Sequence, residues 1–469
     1  MPEKISEMPN GRRAIVWFRE DLRLHDNESL TEALHSAYEV IPVFVFDERV
    51  FTGKTLYGFP KTGSIRAQFI IEAVHNLRRS LKRLGSDLIV RIGKPEQEVF
   101  NLAQDLKTSW VFCNRERTPE EVEVQDTLEQ KLWSIGQELR FSRGKMLYHT
   151  GDLPFPIQHT PDSFTQFRKE VERYVPIREP LPRPQRSFNF LSTDVPNGAI
   201  PDLKDLGLPD FKADPRSTIH YQGGESEALQ RLQEYLWESD QLNKYAQTKD
   251  DLTEEGRSSR FSAWLSLGCL SPKQVYSELK RYEAQRGANK STYQLFLSLM
   301  RRDYHRFMVK KYGESVFTPG GLKGDSEVKT KIDQPQDLAK WINGETSNAL
   351  VNACMLELKQ SGYLSRRGRQ ICASYLVYDL EVNWQAGAAY FESQLVDYDV
   401  CSNWSNWNTI AGLGVDSKEE KYLNIEAQTQ KYDPKGTYLR KWIKEQGLDQ
   451  KQDSKKLDQD TRRTTYAAG

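Results

Sequence analysis

Two arginines and two aspartates suggest the first chemistry to look for. Arg367 and Arg369 fall in SGYLSRRGRQ, and Asp397 and Asp399 flank Tyr398 in DYDVCSNWSNW, beyond an apolar run that begins near Trp384. A carboxylate removed from water needs a cationic or hydrogen-bonding partner, so the pattern predicts a charge-paired pocket, with a surface salt bridge as the plainer alternative. Any one aromatic of this segment, Trp384 or Trp407 included, is by default helical core. A second element, GRSSRFSAWLSLGCLSP, sets Ser258, Ser259, Arg260 and Ser262 ahead of an apolar helical stretch. Hydroxyls and unpaired N–H groups at such a start either hold a phosphate or simply cap the helix.

The elements that must position these residues divide the chain. Over residues 12–150, short apolar segments (AIVWF, VIPVFVF, DLIVRI, WVFC, ELRF) alternate with amphipathic ones such as Ser64 to Leu84. This is the βαβ pattern of an α/β, Rossmann-like domain with a mostly parallel sheet. The turn after its first strand, REDLRLHDN, contains no glycine, so it is a poor place to cradle a dinucleotide pyrophosphate. Residues 151–222 are rich in proline with little periodicity and read as an ordered connector. From 223 to 445 helical periodicity dominates, predicting an all-α domain in which Ser271 caps a helix beginning at Pro272. FSAWLSLGCL is read as part of this helical run. The polar stretch 446–469 lacks apolar anchors and is expected to be disordered.

Composition excludes several classes. With 38% hydrophobic and 28% charged residues, the 469-residue chain resembles an ordinary two-domain globular protein, and no apolar run is long enough to span a bilayer. The first ten residues lack a secretory signal, so a cytoplasmic or organellar (chloroplast or mitochondrion) setting is expected. Cys113, Cys269, Cys354, Cys372 and Cys401 form no close pair, which disfavours disulfides and metal sites. Lysine plus arginine equals aspartate plus glutamate at 66 each, so any nucleic-acid site must be local. Arg301, Arg302, Arg306, Lys310 and Lys311 form one candidate strip, either for a phosphate backbone or as a solvated helix face.

Taken together, WFREDLRLHDN, GRSSRFSAWLSLGCLSP, RRDYHRFM, SGYLSRRGRQ, DYDVCSNWSNWNTIAGLG and YDPKGTYLRKW occur in the order seen in photolyases and cryptochromes. DYDVCSNW and QGGESEALQRLQEY look most like the cryptochrome DASH branch. The resemblance implies FAD folded within the helical domain. Tyr245 and Ser258, Ser259, Arg260, Phe261 and Ser262 would hold its phosphates, with Arg302 lining the cavity. Arg367 and Arg369 would lie near the isoalloxazine, Arg369 paired to Asp397. Asp399 would reach the ribose or flavin edge, and Asn403 would face flavin N5. The branch commonly carries a 5,10-methenyltetrahydrofolate antenna, for which Glu72 is the matched position.

The chain departs from the family at the lesion pocket. Repair-competent relatives carry Glu-x-x-Trp-Arg, where this chain has Ser298 and Arg301 in place of the carboxylate and indole. Arg366 replaces an asparagine in SRRGR, and Asn352 stands where an aspartate belongs. Two functions therefore compete. One is a FAD-dependent blue-light photoreceptor, binding single-stranded DNA or RNA if the added arginines meet phosphate. The other is a photolyase repairing cyclobutane dimers in single-stranded DNA by electron transfer from reduced FAD. A monomer without metal or membrane attachment is expected in both. The resemblance also implies electron transfer through Trp407 and Trp384. The family's third tryptophan maps to Lys331, so the hole should recombine or leave through another aromatic.

Overall fold

The computed structural model describes residues 12–185, 195–217, 221–252, 258–324, 335–415 and 422–443. Lys331 and the stretch 446–469 lie outside the described residues. The five apolar segments become β1 (Arg13–Phe18), β2 (Glu39–Asp47), β3 (Ile89–Gly93), β4 (Trp110–Asn114) and β5 (Glu138–Ser142). They form one sheet in the order β3-β2-β1-β4-β5, and every pairing is parallel. Helices α1 (Glu28–Ser36), α2 (Ser64–Arg83), α3 (Pro95–Asp105) and α4 (Pro119–Ser134) make the crossovers.

The period of two along β1 and β2 divides the sheet between two cores. Ile15, Trp17, Ile41, Val43 and Val45 pack with Val99, Leu102, Leu128 and Leu132 of α3 and α4. Ala14, Val16, Phe18, Phe44 and Phe46 face the other way, into a cluster that continues through Phe69 and Trp264 to Leu299 and Phe307 of the helical domain. The two domains thus share one apolar interior.

The glycine-free loop after β1 has a structural use. Arg23 Nη1 donates to Gly268 O at 2.8 Å, and Arg23 Nη2 to Asp26 O and Gly144 O. Lys273 Nζ lies 2.7 Å from Asp26 Oδ1, Ser271 Oγ bonds the same carboxylate, and His25 N donates to Glu225 Oε1 at 2.8 Å. Where a dinucleotide fold keeps space for pyrophosphate, this chain clamps its second domain.

That clamp interrupts the helical run expected over FSAWLSLGCL. Only Ser262–Ser266 is helical, because Gly268 turns left-handed (φ +64°) to bring the chain against the loop. A Cβ there would meet Glu20 O at 2.1 Å. The connector also differs from expectation, since it contains α5 (Phe164–Tyr174). Its apolar residues Phe164, Phe167 and Val171 recur at helical spacing and are buried. Prolines on either side of this short element mask the period in the sequence.

The helical domain comprises α6 (Glu225–Gln233), α7 (Pro272–Arg286), α8 (Lys290–Tyr312), α9 (Pro335–Asn343), α10 (Ala349–Ser361), α11 (Arg366–Ser374), α12 (Trp384–Gln394), α13 (Val400–Ile410) and α14 (Thr437–Ile443), with further helical segments between, Ile425–Tyr432 among them. Ser271 caps α7 as expected, accepting from Lys273 N at 3.2 Å and Gln274 N at 3.4 Å. No described helix is long and apolar enough to cross a membrane.

Candidate functional site

The first turn of α11 presents Arg366 and Arg367, and its N-cap Ser365 accepts from Gly368 N at 3.1 Å. Farther along the same helix, Arg369 Nη2 donates to both oxygens of Asp397 at 2.8 Å, and Nε donates to Leu364 O at 2.8 Å. Burial acts to lower the Arg369 pKa, but the charge and hydrogen bonds of Asp397 together with Tyr363 and Tyr221 raise it overall, so the guanidinium stays protonated. Tyr363 lies beneath, with Arg369 5.5 Å and Arg260 4.6 Å from its ring centroid. Tyr221 packs against Tyr363 at 5.6 Å.

Asp397 and Asp399 do not share an arginine pair. Asp399 is the N-cap of α13, accepting from Ser402 N at 2.8 Å, and its carboxylate is bonded by Arg306 of α8. Burial would raise its pKa, but Arg306 and Arg302 hold it well below the usual carboxylate range. Asp399 lines an interdomain pocket with Glu116 and Lys145.

The serine segment is held from behind. Arg231 Nη2 donates to Ser258 O at 3.0 Å and Nε to Ser259 O at 3.3 Å. Arg260 adopts φ +53°, a conformation costly for a residue with a Cβ, and Phe261 packs on Tyr235 at 5.5 Å. Ser262 is exposed at the start of its short helix. Ser258, Arg260, Tyr363 and Ser365 line a pocket together with Arg216 and Lys441. Tyr245 is buried nearby, its hydroxyl 3.2 Å from Ser298 Oγ.

Several buried polar atoms around these residues lack a hydrogen-bond partner: Arg260 Nε, Arg367 Nε, Tyr221 Oη, Gln370 Oε1 and Asp250 Oδ1. Buried polar groups are almost always satisfied, so these unpaired atoms, on Arg260 at the pocket wall and on residues outside its lining, fit a polar ligand that bears phosphates and a heteroaromatic ring. FAD is such a ligand. Arg302 is less available: its guanidinium bonds Lys145 O at 3.1 Å and Leu265 O at 2.8 Å. Asn403 is buried and donates from Nδ2 to Ala388 O at 3.1 Å, leaving Oδ1 and a second N–H of its inventory.

The basic strip read along α8 is not one surface. Arg306 pairs with Asp399, the partly buried Arg302 bonds carbonyls, and Lys311 Nζ reaches Asp162 Oδ1 at 2.5 Å, so of these five residues only Lys310 is exposed. Spacing alone missed that this face packs inward. The altered lesion-pocket residues have local partners. Arg301 lies 4.1 Å from the Phe164 ring centroid, and Arg366 Nη1 is 3.8 Å from Asp250 Oδ1. Asn352 accepts from Thr346 N at 2.8 Å and donates to Thr346 O at 2.9 Å, a donation no carboxylate could make. Glu72 accepts from Gly223 N at 2.9 Å and Gln68 Nε2 at 3.0 Å, so both of its oxygens are engaged in fastening α2 to the end of the connector.

Among the described residues one acidic group is compact enough for a metal. Glu20, Glu116 and Glu121 lie within 4.8 Å of one another, but Lys145 Nζ, 2.7 Å from Glu116 Oε1 and bonded also to Glu20, occupies the cation's place. Sequence reasoning missed Tyr363, Arg231 and the Arg306–Asp399 pair. Tyr363 was within reach, since it sits inside SGYLSRRGRQ.

A parallel α/β domain clamped to a helical domain, with Arg260, Tyr221 and the Asp397-bound Arg369 gathered around Tyr363, defines a two-domain flavin-binding protein. Residues 14–185 match the DNA photolyase family and residues 296–464 the FAD binding domain of DNA photolyase. The chain is 43% identical to cryptochrome DASH of Gloeobacter violaceus over 92% of its own length and 86% of that protein. It is 40% identical to the rice protein called cryptochrome DASH, chloroplastic/mitochondrial, covering 93% of this chain and 77% of that one. The solved Synechocystis cryptochrome superposes with a TM-score of 0.89 at 41% identity, covering 94% and 89% of the two chains. The chain belongs to the photolyase/cryptochrome family, in its cryptochrome DASH branch.

Proposed function

We propose that this protein binds FAD in the helical domain and works as a blue-light photoreceptor of the cryptochrome DASH type. The observation that carries this reading is the partly buried Arg369, fixed by Asp397, with the unpartnered Arg367 and Arg260 atoms nearby. When bound, FAD absorbs blue light and accepts an electron. Arg369 supplies positive charge to a low-dielectric site, where it favours added negative charge more than it would in water. Ser258, Ser259, Arg260, Phe261, Ser262 and Tyr245 are assigned to the phosphate side, and Arg367 and Asn403 to the ring side.

Photoreception is favoured over dimer repair by the state of the lesion pocket. A flipped dimer needs a stacking surface and a carboxylate, and this pocket offers Ser298 bonded to Tyr245 and Arg301 packed on Phe164. Arg366, Arg301 and Arg367 all lie close enough to Lys249 to lower its pKa, after the larger effect of burial. We assign this cationic rim to the phosphates of single-stranded DNA or RNA. Binding should then weaken steeply with salt, measured by anisotropy of a labelled oligonucleotide.

The deciding experiment is the absorption spectrum of purified protein, repeated after incubation with FAD. A structured flavin band at stoichiometric intensity is expected; protein that stays colourless overturns the reading. An additional near-ultraviolet band would report a folate antenna. The name of the rice relative points to an organellar setting, which fractionation of tagged protein would test.

A further inference from the structure

Resting on the flavin reading above, we propose that Trp404 is the outer electron donor of this protein and that its proton leaves through Tyr398 to Glu392. The geometry begins at Trp407, which is buried against α12: a Cβ on Gly387 would lie 2.3 Å from its Cη2 atom. Gly387 is one helical turn from Trp384, so both indoles share one face of α12. The Trp384 ring in turn meets Trp404, with centroids 5.7 Å apart and planes at 80°. Trp407 and Trp384 are almost fully buried, whereas Trp404 is half-buried. These three oxidisable rings therefore run outward from the core.

Hydrogen bonding decides where a hole can rest. An oxidised indole becomes strongly acidic at its N–H and is trapped only if that proton has somewhere to go. Trp384 Nε1 donates to Pro319 O at 3.2 Å, and a backbone carbonyl is a poor base. Trp341, 6.4 Å from Trp407, is another dead end, being fully buried with its Nε1 on Cys372 O. Trp404 differs. Its Nε1 donates to Tyr398 Oη at 3.3 Å, and that hydroxyl faces the carboxylate of Glu392. Burial raises the Glu392 pKa, which favours proton uptake, while Arg66 opposes it. The Arg66 guanidinium lies 4.7 Å from the Tyr398 ring centroid, and a cation so placed disfavours a hole on the phenol itself. Tyr398 is thus a proton relay and Trp404 the resting place.

The step balances. Trp407 gives one electron to the light-excited cofactor, Trp384 refills Trp407, and Trp404 refills Trp384. The indole proton of Trp404 passes to Tyr398 as the phenolic proton of Tyr398 passes to Glu392. The products on the protein are a neutral tryptophanyl radical at Trp404, an unchanged Tyr398 and a protonated Glu392. A thiol reductant in solution restores Trp404 by supplying an electron, and Glu392 returns the proton. The sequence itself makes this branch useful: between Tyr312 and Trp341 there is no tryptophan or tyrosine.

The test uses FAD-loaded full-length protein, with flavin content verified by absorption, and reads radical identity by transient electron paramagnetic resonance in protein labelled with ring-deuterated tryptophan. The wild type should show a tryptophanyl radical that Trp404→Phe loses while retaining bound flavin. Glu392→Gln should form the same radical and shorten its lifetime. A wild-type signal that persists unchanged in Trp404→Phe, or a tyrosyl radical in the wild type, overturns the proposal. If Trp404→Phe does not fold, Glu392→Gln decides: an unchanged radical lifetime sinks the relay. Protein that holds no FAD fails the functional reading instead, and so the two failures are distinguishable.

Discussion

Replacing Asp397 with alanine should loosen flavin binding far more than it disturbs the fold. Arg369 loses both 2.8 Å contacts from Nη2 and keeps only the Nε bond to Leu364 O. Breaking a buried pair costs about 3–5 kcal/mol when the remaining charge is fully stranded. The Arg369 side chain retains 28% exposure, so some water reaches it and the cost falls to roughly 2–3 kcal/mol. If the flavin complex bore all of that cost, Kd would rise about 30- to 150-fold, and any share borne by the fold lowers that rise. Asp397→Asn should fall between, because one acceptor oxygen remains but the charge does not. Titration of apoprotein with FAD, followed by quenching of flavin fluorescence, gives Kd, and a thermal melt of the apoprotein gives the folding share. If Asp397→Ala binds FAD within threefold of wild type, the Arg369–Asp397 pair does not organise the site.

Other perturbations test separate parts of the molecule. Gly268→Ala places a Cβ 2.1 Å from Glu20 O at a left-handed position and should destabilise the domain clamp by about 1–3 kcal/mol or more in urea unfolding. Ser298→Glu with Arg301→Trp should raise affinity for a dimer-containing single strand, read by competition against undamaged strand; equal affinities would mean that pocket shape has also been lost. His305 is pushed down to about 3, mainly by burial and then by Arg301, so it stays neutral in the fold while the unfolded chain takes up a proton below about pH 6.5. The unfolded state then binds more protons, and stability should fall as pH drops from about 6.5 toward 3. Asp303, raised to about 6 by burial, acts in the opposite sense between its unfolded value and 6. Comparing wild type with His305→Gln isolates the histidine. The wild type should lose on the order of 2–4 kcal/mol relative to the variant across that window, and a difference that is flat with pH would refute it.

The sheet and most helices were legible because their periods are set by burial, and burial acts on the sequence directly. Five apolar segments separated by amphipathic stretches have few alternatives to a parallel α/β layer, and all five form strands. The residues alone pointed to a charge-paired pocket among Arg367, Arg369, Asp397 and Asp399 with a surface salt bridge as the alternative, and the family resemblance supplied the Arg369–Asp397 pairing that the structure shows. What failed depended on tertiary direction. Arg302, Arg306 and Lys311 read as a basic strip because spacing says which residues share a helix face, not whether that face meets solvent or a second domain. Gly268 ended a helix the pattern would have continued, because the loop after β1 needed its backbone at close range. Asp399 went to Arg306 for a similar reason. Two aspartates separated by one residue point different ways, and no local signal says which arginine each will find.

The altered lesion pocket argues for reuse more than for decay. Ser298 shares a hydrogen bond with Tyr245, Arg301 covers Phe164, Arg366 approaches Asp250, and Asn352 closes a turn on Thr346 through a donation that an aspartate could not make. Relaxed selection would be expected to leave at least some of these polar groups stranded, because an unsatisfied buried group costs about 1–3 kcal/mol and single losses of that size are tolerated in a stable protein. The new side chains instead sit in contacts consistent with their chemistry, and Arg301 and Arg366 add positive charge near Lys249. A rim with that charge next to a flavin cavity suits an anionic partner that stays at the mouth and does not enter as a flipped base. If so, neutralising Arg366 as Arg366→Gln should weaken oligonucleotide binding equally for damaged and undamaged strands and reduce its salt dependence by about one ion. A selective loss for damaged strand would mean that Arg366 still reads a base, and that the pocket remains a lesion site.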